Sequence, residues 1–498
     1  MSVTSQLLAG FGTALTLENL FSALLGCLLG TVVGVLPGLG PSTTVALLIP
    51  VAFAVDPDTM LIMMCGVYLG AMYGGSLTSI LLRVPGEASS AMTALDGFEM
   101  ARRGRAGQAL AISAIGSFIG GTISVVALTL VAAPIARAAL TFGPSEYFAL
   151  MVFALVMSAT LIGRSLTRGL LAVILGVMLA MVGSDLQTGV PRFTLGLGPL
   201  LDGIDVVVVI IGVFGVAEVL NYLLHERQLT GERLAIRGRV WLSRDDWRRS
   251  IAPIGRGTLV GFLAGVMPGS GSTIGSMLAY AVEGRFGRAR RQLGTGAIEG
   301  VAAVETANNA ATGGAMIPMF TLGIPGSGTT AVLLAVLLMY GVQPGPRLMT
   351  QQAQLFWTVI ASLYLSNVIL LILNLPLIPL FVRILDIPMR FLMPAIGVFA
   401  AVGAYSINGA VADVWLVFLF GLLGYAMRWA GMPPVALVLG MVLGERLEQS
   451  LRQAFILSNR SFAFLARPIT LTLLVATIAI VALDMTTKIR EARRHRGG

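Results

Sequence analysis

The stretch AIEGVAAVETANNAATGG, Ala297–Gly314, sets a carboxylate and two carboxamides inside an apolar run. Glu305, Asn308, Asn309 and Thr312 stand at i, i+3, i+4 and i+7, which puts them on one face of a helix. An acid at membrane depth is costly and by default functional. Glu305 could take up H⁺. With the Asn308 and Asn309 carbonyls it could also offer hard oxygens to Na⁺. No cofactor is expected beyond such a coupling ion, Na⁺ or H⁺. The alternative is a buried hydrogen-bond network between helices. Glu299 lies closer to an arginine cluster and is expected at the membrane edge.

Two further stretches could hold an anion. PGLGPSTT (Pro37–Thr44) and PGSGST (Pro268–Thr273) interrupt apolar runs and cannot continue an α-helix. A broken helix exposes N–H groups and a positive dipole end on one side, and carbonyls on the other. The first suits a carboxylate; the second suits Na⁺. The substrate-binding candidates are therefore Pro37, Gly38, Gly40, Ser42, Thr43 and Thr44 in one stretch. In the other they are Pro268, Gly269, Ser270, Gly271, Ser272 and Thr273. The alternative is a kinked helix whose hydroxyls cap its own backbone. A second pair of breaks follows at VPGEASS (Val84–Ser90) and IPGSGTT (Ile324–Thr330). In the first, Arg83 and Glu87 are expected to pair across a helix end. In the second, Ser327 and Thr329, with Thr330, either meet substrate or cap a helix over Ala331–Tyr340.

These residues need an apolar scaffold around them, and composition supplies it. The 498 residues are 56% hydrophobic and 11% charged, and the mean hydropathy is +0.88. Soluble domains carry about 25% charged residues, so the chain reads as an all-α polytopic membrane protein. Sixty glycines suit close helix packing. The apolar segments fall near 21–55, 59–82, 107–133, 147–162, 169–183, 204–224, 257–282, 297–341, 355–382, 391–405, 411–427, 433–444 and 464–483. Several are shorter than the roughly 20 residues a spanning helix needs. The net charge of +9 comes from arginines clustered between these segments, which read as topology signals rather than a nucleic-acid surface. No basic stretch precedes the first apolar run, so that run is expected to remain as an anchor. Cys27 and Cys65 are too few for a disulfide framework. There is no phosphate-binding G-x-x-x-x-G-K-[ST] loop, no H-E-x-x-H and no nucleophile–histidine pairing near the core, so the chain is not read as an enzyme.

The two halves echo one another. GCLLGTVVGVLPGLG (Gly26–Gly40) aligns without a gap on GTLVGFLAGVMPGSG (Gly257–Gly271). GGSLTSILLRVPGE (Gly74–Glu87) resembles GGAMIPMFTLGIPGS (Gly313–Ser327), and AVILGVMLAMV (Ala172–Val182) more weakly resembles ALVLGMVLGER (Ala436–Arg446). Gly26, Gly30 and Gly34, like Gly257, Gly261 and Gly265, are spaced for helix packing. The organisation expected is a first membrane repeat over 1–224, a basic cytoplasmic linker over 225–256, a second repeat over 257–484 and a basic cytoplasmic tail over 485–498. Arginines flank the second glycine motif on both sides, at Arg248, Arg249 and Arg256, then Arg285, Arg288, Arg290 and Arg291. Both its ends belong inside by the positive-inside rule. That makes it a re-entrant hairpin with two half-bilayer arms. Acids flank the first motif, so its ends belong outside. The expectation is two inverted-topology repeats with broken or re-entrant helices. Whether the first motif is a hairpin or a broken span is open at this level.

At these motifs the chain resembles the large membrane subunit of the tripartite tricarboxylate transporter family. The stretches that carry the resemblance are GVLPGLGPSTT, YLGAMYGGSLTSILLRVPGE, ALDGFEMARRGRAGQAL, IEGVAAVETANNAATGGAMIPMFTLGIPGSGTTAVLL and GVQPGP, with LVLGMVLGERLEQSLRQAFILS beyond them. The resemblance implies a multi-pass protein of the bacterial inner membrane. It implies ion-gradient-driven import of a small carboxylate. Its partners would be a small membrane subunit of about four helices and a periplasmic substrate-binding protein. A homo-oligomer is also compatible. Which carboxylate is carried does not transfer. The competing readings are a non-transporting membrane scaffold, in which the breaks are folding devices, and a channel.

Overall fold

The computed structural model describes residues 3–36, 39–162, 165–185, 187–224, 240–269, 271–384 and 389–496. Pro37, Gly38, Ser270 and residues 225–239 of the expected linker lie outside them. The first half runs through α1 (Val3–Ala14), α2 (Leu17–Gly34), α3 (Pro41–Leu47), α4 (Pro57–Leu82), α5 (Thr93–Met100), α6 (Ala106–Ala139), α7 (Pro144–Ile162), α8 (Leu166–Ala180), α9 (Val206–Ile210) and α10 (Ala217–Leu224). The second runs through α11 (Arg244–Val266), α12 (Gly271–Phe286), α13 (Ile298–Leu322), α14 (Gly328–Met339), α15 (Leu348–Gln351), α16 (Ala353–Ile384), α17 (Met389–Asn408), α18 (Val411–Trp429), α19 (Pro434–Leu457) and α20 (Pro468–Arg496). Among the described residues, nine helices are long and apolar enough to cross a membrane. The chain is an all-α, multi-pass membrane protein. Its one described sheet is a two-stranded hairpin, β1 (Gly183–Ser184) with β2 (Pro191–Arg192).

The spaced glycines do what small-residue spacing allows. Gly26, Gly30 and Gly34 of α2 sit directly on the backbone carbonyls of Met63, Val67 and Ala71 of α4. Gly257, Gly261 and Gly265 of α11 sit in the same way on Ala303, Ala307 and Ala311 of α13. In both pairs the numbers rise together, so the helices run parallel. No side chain intervenes, which is the closest approach two helices can make. Gly34 faces a point about midway along α4, and Gly265 faces the middle of α13. The first breaks therefore lie at mid-depth.

Each break returns the chain to the end it came from. After α11, Gly269 turns at φ +127°, a backbone state that favours glycine. α12 then runs back along α11: Gly271 lies against Gly265, Gly275 against Gly261, and Arg256 pairs with Glu283 at 2.7 Å. The arms exceed the expected half-bilayer. α11 begins at Arg244 and α12 ends at Phe286, because the polar turns before Gly257 extend the helix below its apolar part. Part of the expected linker is thus helix, capped by a Ser243–Asp246 box. The first copy also returns: Thr59, at the start of α4, donates to Asn19, at the start of α2, at 2.8 Å. It is looser, for nothing packs within 4 Å of a methyl group placed on Gly40.

The second breaks repeat as well. α4 ends at Arg83 (φ +58°) and α13 at Gly323 (φ +71°), both left-handed. The chain then folds back, so Gly86 meets Gly75 and Gly34 O, while Gly326 meets Ala315 and Gly265 O. The weak third echo behaves differently. α8 and α19 cross through Gly176, Gly440 and Gly444, and Val173 meets Gly440 while Val177 meets Gly444. These two helices run in the same direction. GERLEQSLRQAFIL is the continuation of α19, not a loop.

One end of the bundle is tied by ion pairs: Arg105–Asp246 at 2.5 Å and Arg249–Glu299 at 2.7 Å. Asp96 of α5 accepts from the N–H groups of Gly294, Gly296 and Ala297 at 2.8–2.9 Å, and from Tyr280 Oη. It caps α13 from another element and brings charge to the positive end of that helix. At the opposite end, Asp185 beside the β-hairpin accepts from Arg452, which holds its carboxyl below the usual carboxylate range. Gln354, at the start of α16, donates to Thr13, at the end of α1 just before α2, at 2.6 Å.

Two substitutions on one helix test the glycine contact. Gly255→Ala meets nothing within 4 Å and should raise stability by roughly 0.5–1 kcal/mol. Gly261→Ala drives a methyl into Ala307 O and should cost about 1–3 kcal/mol or more. Thermal unfolding in detergent reads the difference; equal midpoints would contradict the packing described.

Candidate functional site

The breaks converge midway through the bundle, and side chains from both halves meet there. Ser42 Oγ, one residue into α3, lies 3.1 Å from Thr329 Oγ1 at the start of α14. Tyr68 Oη of α4 lies 3.3 Å from Ser327 Oγ. In the reciprocal place, α12 packs beside the 3₁₀ turn Ala88–Ala91 that follows Glu87. The first break of each half thus neighbours the second break of the other. Gly269 lies instead toward α7, where it meets Ser158 and Leu161. No direct bond joins the first tip to the third among the described residues.

Several hydroxyls close their own backbone. Thr44 Oγ1 donates to Gly40 O at 3.1 Å, and Thr43 Oγ1 donates to Phe214 O at 3.5 Å. Ser327 and Thr330 form a reciprocal capping box on α14, with Thr330 Oγ1 accepting from Ser327 N at 2.8 Å. The capping alternative is realised for Ser327, while Thr329 faces Ser42. Ser272 and Gly271 are buried and Thr273 is half-buried at the start of α12.

The acid cluster is deeper than its spacing alone conveys. Glu305 is fully buried. Ser76 Oγ donates to its Oε2 at 2.5 Å, and Thr93 Oγ1 donates to its Oε1. Both donors come from the first half. Asn309 Nδ2 donates to Ser117 Oγ of α6 at 2.7 Å, and Thr312 Oγ1 donates to Asn309 O at 2.6 Å. Asn308 turns the other way and donates to Glu87 Oε1 at 3.4 Å. Its own Oδ1 is buried with no partner among the described residues. Beside Asn309 lies a cavity of ≈ 10 Å³, lined also by Tyr73, Ser117, Asn367 and Asn374. That is room for about one water.

Glu87 corrects an expectation. It does not pair with Arg83. The Arg83 guanidinium lies over the Phe98 ring, 5.6 Å from its centre. The left-handed turn at Arg83 sends the two side chains apart. Glu87 points inward, accepts from Ser89 and caps the Ala88–Ala91 turn with Ser90. Glu305 is thus a fully buried acid and Glu87 a half-buried one, each held by hydroxyls or an amide, and no described ion pair includes either. Sequence reasoning missed Ser76, Thr93, Ser117 and Tyr68. The only signal for them was a hydroxyl, inside an apolar helix for Ser76, Ser117 and Tyr68 and at the start of α5 for Thr93, which does not say what it faces.

The family model described as the tripartite tricarboxylate transporter TctA family matches residues 20–439. An uncharacterized 52.8 kDa protein from the TAR-I ttuC' 3' region of Agrobacterium vitis is 45% identical over 496 residues, covering 99% of this chain and 98% of the relative. A second uncharacterized protein, from the TAR-II ttuC' 3' region of the same organism, is 44% identical over 234 residues, covering 47% of this chain and 97% of the relative. No solved structure matches. The chain belongs to the tripartite tricarboxylate transporter TctA family, as a tricarboxylate transporter subunit.

Proposed function

We propose that this subunit imports a small carboxylate across the bacterial inner membrane, driven by an ion gradient. A periplasmic binding protein delivers the anion, and a small membrane subunit of about four helices completes the complex. The observation that carries the coupling is the fully buried Glu305, with half-buried Glu87 joined to the same helix through Asn308. Glu87 and Glu305 face neutral donors only, at the meeting of the two halves. A bare carboxylate at the fully buried Glu305 is prohibitive, so a proton or a cation accompanies it. The orphan Asn308 Oδ1 beside Glu87 adds a hard oxygen that suits Na⁺.

The two halves are read as inverted repeats. α2 starts beside the first residues of α4 and near the start of α16. α11 starts beside Arg105 and the start of α13. α6 runs from the Arg105 end parallel to α13, since Gly116 meets Ala302 and Gly313 meets Ser124. α16 runs the other way, as Gly121–Asn367 and Thr129–Tyr364 require. α2 and α11 therefore enter from opposite ends. The arginine-rich end is the cytoplasmic one. The parallel α8 and α19 stand outside this symmetry. The substrate is held at mid-depth by the broken ends: Gly40, Ser42, Thr43 and Thr44 from one half, Pro268, Gly269, Gly271, Ser272 and Thr273 from the other, with Ser327 and Thr329. Since several of these hydroxyls cap their own helices, backbone N–H groups carry most of the anion contact. A scaffold has no use for a fully buried acid without counter-charge.

Uptake of labelled citrate into proteoliposomes containing all three components tests the reading. Uptake should follow an imposed Na⁺ or H⁺ gradient; gradient-independent flux would sink symport. Glu305→Gln and Glu87→Gln should each reduce gradient stimulation by about 5- to 150-fold, the usual range of coupling between two sites.

Asn309→Leu should abolish uptake with expression intact. It also leaves Ser117 unpaired, at about 1–3 kcal/mol. Adding Ser117→Ala should recover thermal stability without recovering uptake. Recovery of both would make Asn309 a structural residue only.

A further inference from the structure

At the end of the bundle away from Arg105, a cleft of ≈ 550 Å³ opens between the α6–α7 connection, the end of α13 and α19. That size suits a small organic ligand, for which pockets run about 300–1,000 Å³. Arg446 and Arg347 both line it, with Tyr147 placed close enough to feel both charges. Gln343, Gln449, Ser450 and Gln453 supply further polar atoms. Its floor is Leu322–Ile324, the residues that enter the break carrying Ser327 and Thr329.

The charge state of this cleft is unlike its neighbour's. A second cleft of ≈ 360 Å³ shares Glu445 and Gln449 with it and contains Arg192 and Arg452. There both arginines are neutralised by Asp185 and Glu448, at 2.5–3.3 Å. In the larger cleft no carboxylate lies within ion-pair distance of Arg347 or Arg446 among the described residues. Arg446 is half-buried against Gly323, and makes one long hydrogen bond, to Pro344 O at 3.4 Å. A guanidinium has five donors in a fork that fits a carboxylate. Most of that capacity is unspent. Glu445 is the single acid lining the cleft, and Gln449 donates to it at 3.0 Å.

We propose that this cleft is a second carboxylate site, anchored by Arg446 and Arg347, where the anion rests before it reaches the break at Gly323–Ser327. The inference rests on the carboxylate-import reading above. Arg347 is exposed and meets the incoming anion first. Arg446 is less solvated and closes on it as a bidentate partner. Glu445 weakens the site, which favours release inward over retention.

Cysteine protection in the purified complex tests this without relying on transport. Cys27 and Cys65 are buried, so a single exposed cysteine at Gln453→Cys is the one a membrane-impermeant maleimide reaches. Citrate, malate and succinate are tested in parallel, with chloride at matched ionic strength. At ten times the dissociation constant the carboxylate should slow labelling about tenfold. Labelling of Thr16→Cys, at the same end but outside the cleft, should not change. Arg446→Gln should raise the concentration needed by about tenfold or more, Arg446→Lys should fall between, and Glu445→Gln should lower it. Should Arg446→Gln fail to fold, Arg347→Gln on an exposed side chain carries the same comparison. Protection equal with chloride, or unchanged by the arginine substitutions, would overturn the site. Citrate uptake without any protection overturns the cleft but leaves the import reading standing; absence of uptake and of gradient dependence defeats that reading itself.

Discussion

A backbone amide left bare in hydrocarbon costs several kcal/mol, and this chain breaks two helices at mid-depth and folds back toward them after two more. Every other feature of the centre answers that cost. The Ser327–Thr330 box closes one helix start, and Glu87 with Ser90 closes another. Thr44 returns to Gly40 O. The glycine contacts belong to the same solution. By letting α2 lie on α4, and α11 on α13, they bury the breaks inside protein rather than lipid. A side chain in place of Gly34 or Gly265 would push the broken end outward by the width of a methyl group. It would expose what the cap has closed.

The sequence made the breaks legible because proline and glycine have few uses inside an apolar run. The same holds for Gly26, Gly30, Gly34 and their counterparts, whose spacing admits helix packing and whose contacts are backbone on backbone. Partners across the fold were not legible. Glu87 follows Arg83 by one helical turn, and in a helix the two would pair. The left-handed residue at Arg83 rotates one toward Phe98 and the other inward. Nothing in the local pattern reports that turn, since a non-glycine residue at positive φ is uncommon. Ser76 and Thr93 lie more than 200 residues from Glu305, and ordinary hydroxyls carry no signal of distance. The polar start of α11 was read as linker because hydropathy marks the membrane, not the helix.

Charge is distributed to a purpose in this fold. Arginines lie at the ends, several of them matched to acids: Arg105 to Asp246, Arg249 to Glu299, Arg256 to Glu283. These half-exposed pairs are worth about 0–1 kcal/mol each, so their value lies in fixing which segments meet. The centre inverts the pattern, with acids and no base. A cation that entered it would find oxygen ligands ready; an anion would be repelled unless a cation came too. Under the proposed ion-driven import, that ordering would couple the two solutes, because each changes the other's affinity by the same factor.

The interlocking of the halves limits how such a site could alternate. α6 comes from the first half, yet its Gly116 and Gly120 lie against Thr306 of α13. α16 comes from the second half, yet it packs beside α2 and α4, and Cys27 Sγ reaches Ser366 O. Pulling the sequence halves apart would break backbone-to-side-chain packing on both sides at once. The contacts between Ser42 and Thr329, or Tyr68 and Ser327, are single neutral hydrogen bonds at 3.1–3.3 Å. Each is worth about 0.5–1.5 kcal/mol, within reach of a bound ion or anion to exchange. Motion that opens the centre therefore has its cheapest path along the seam where α3 meets α14, not where α6 lies on α13 or α16 on α2 and α4.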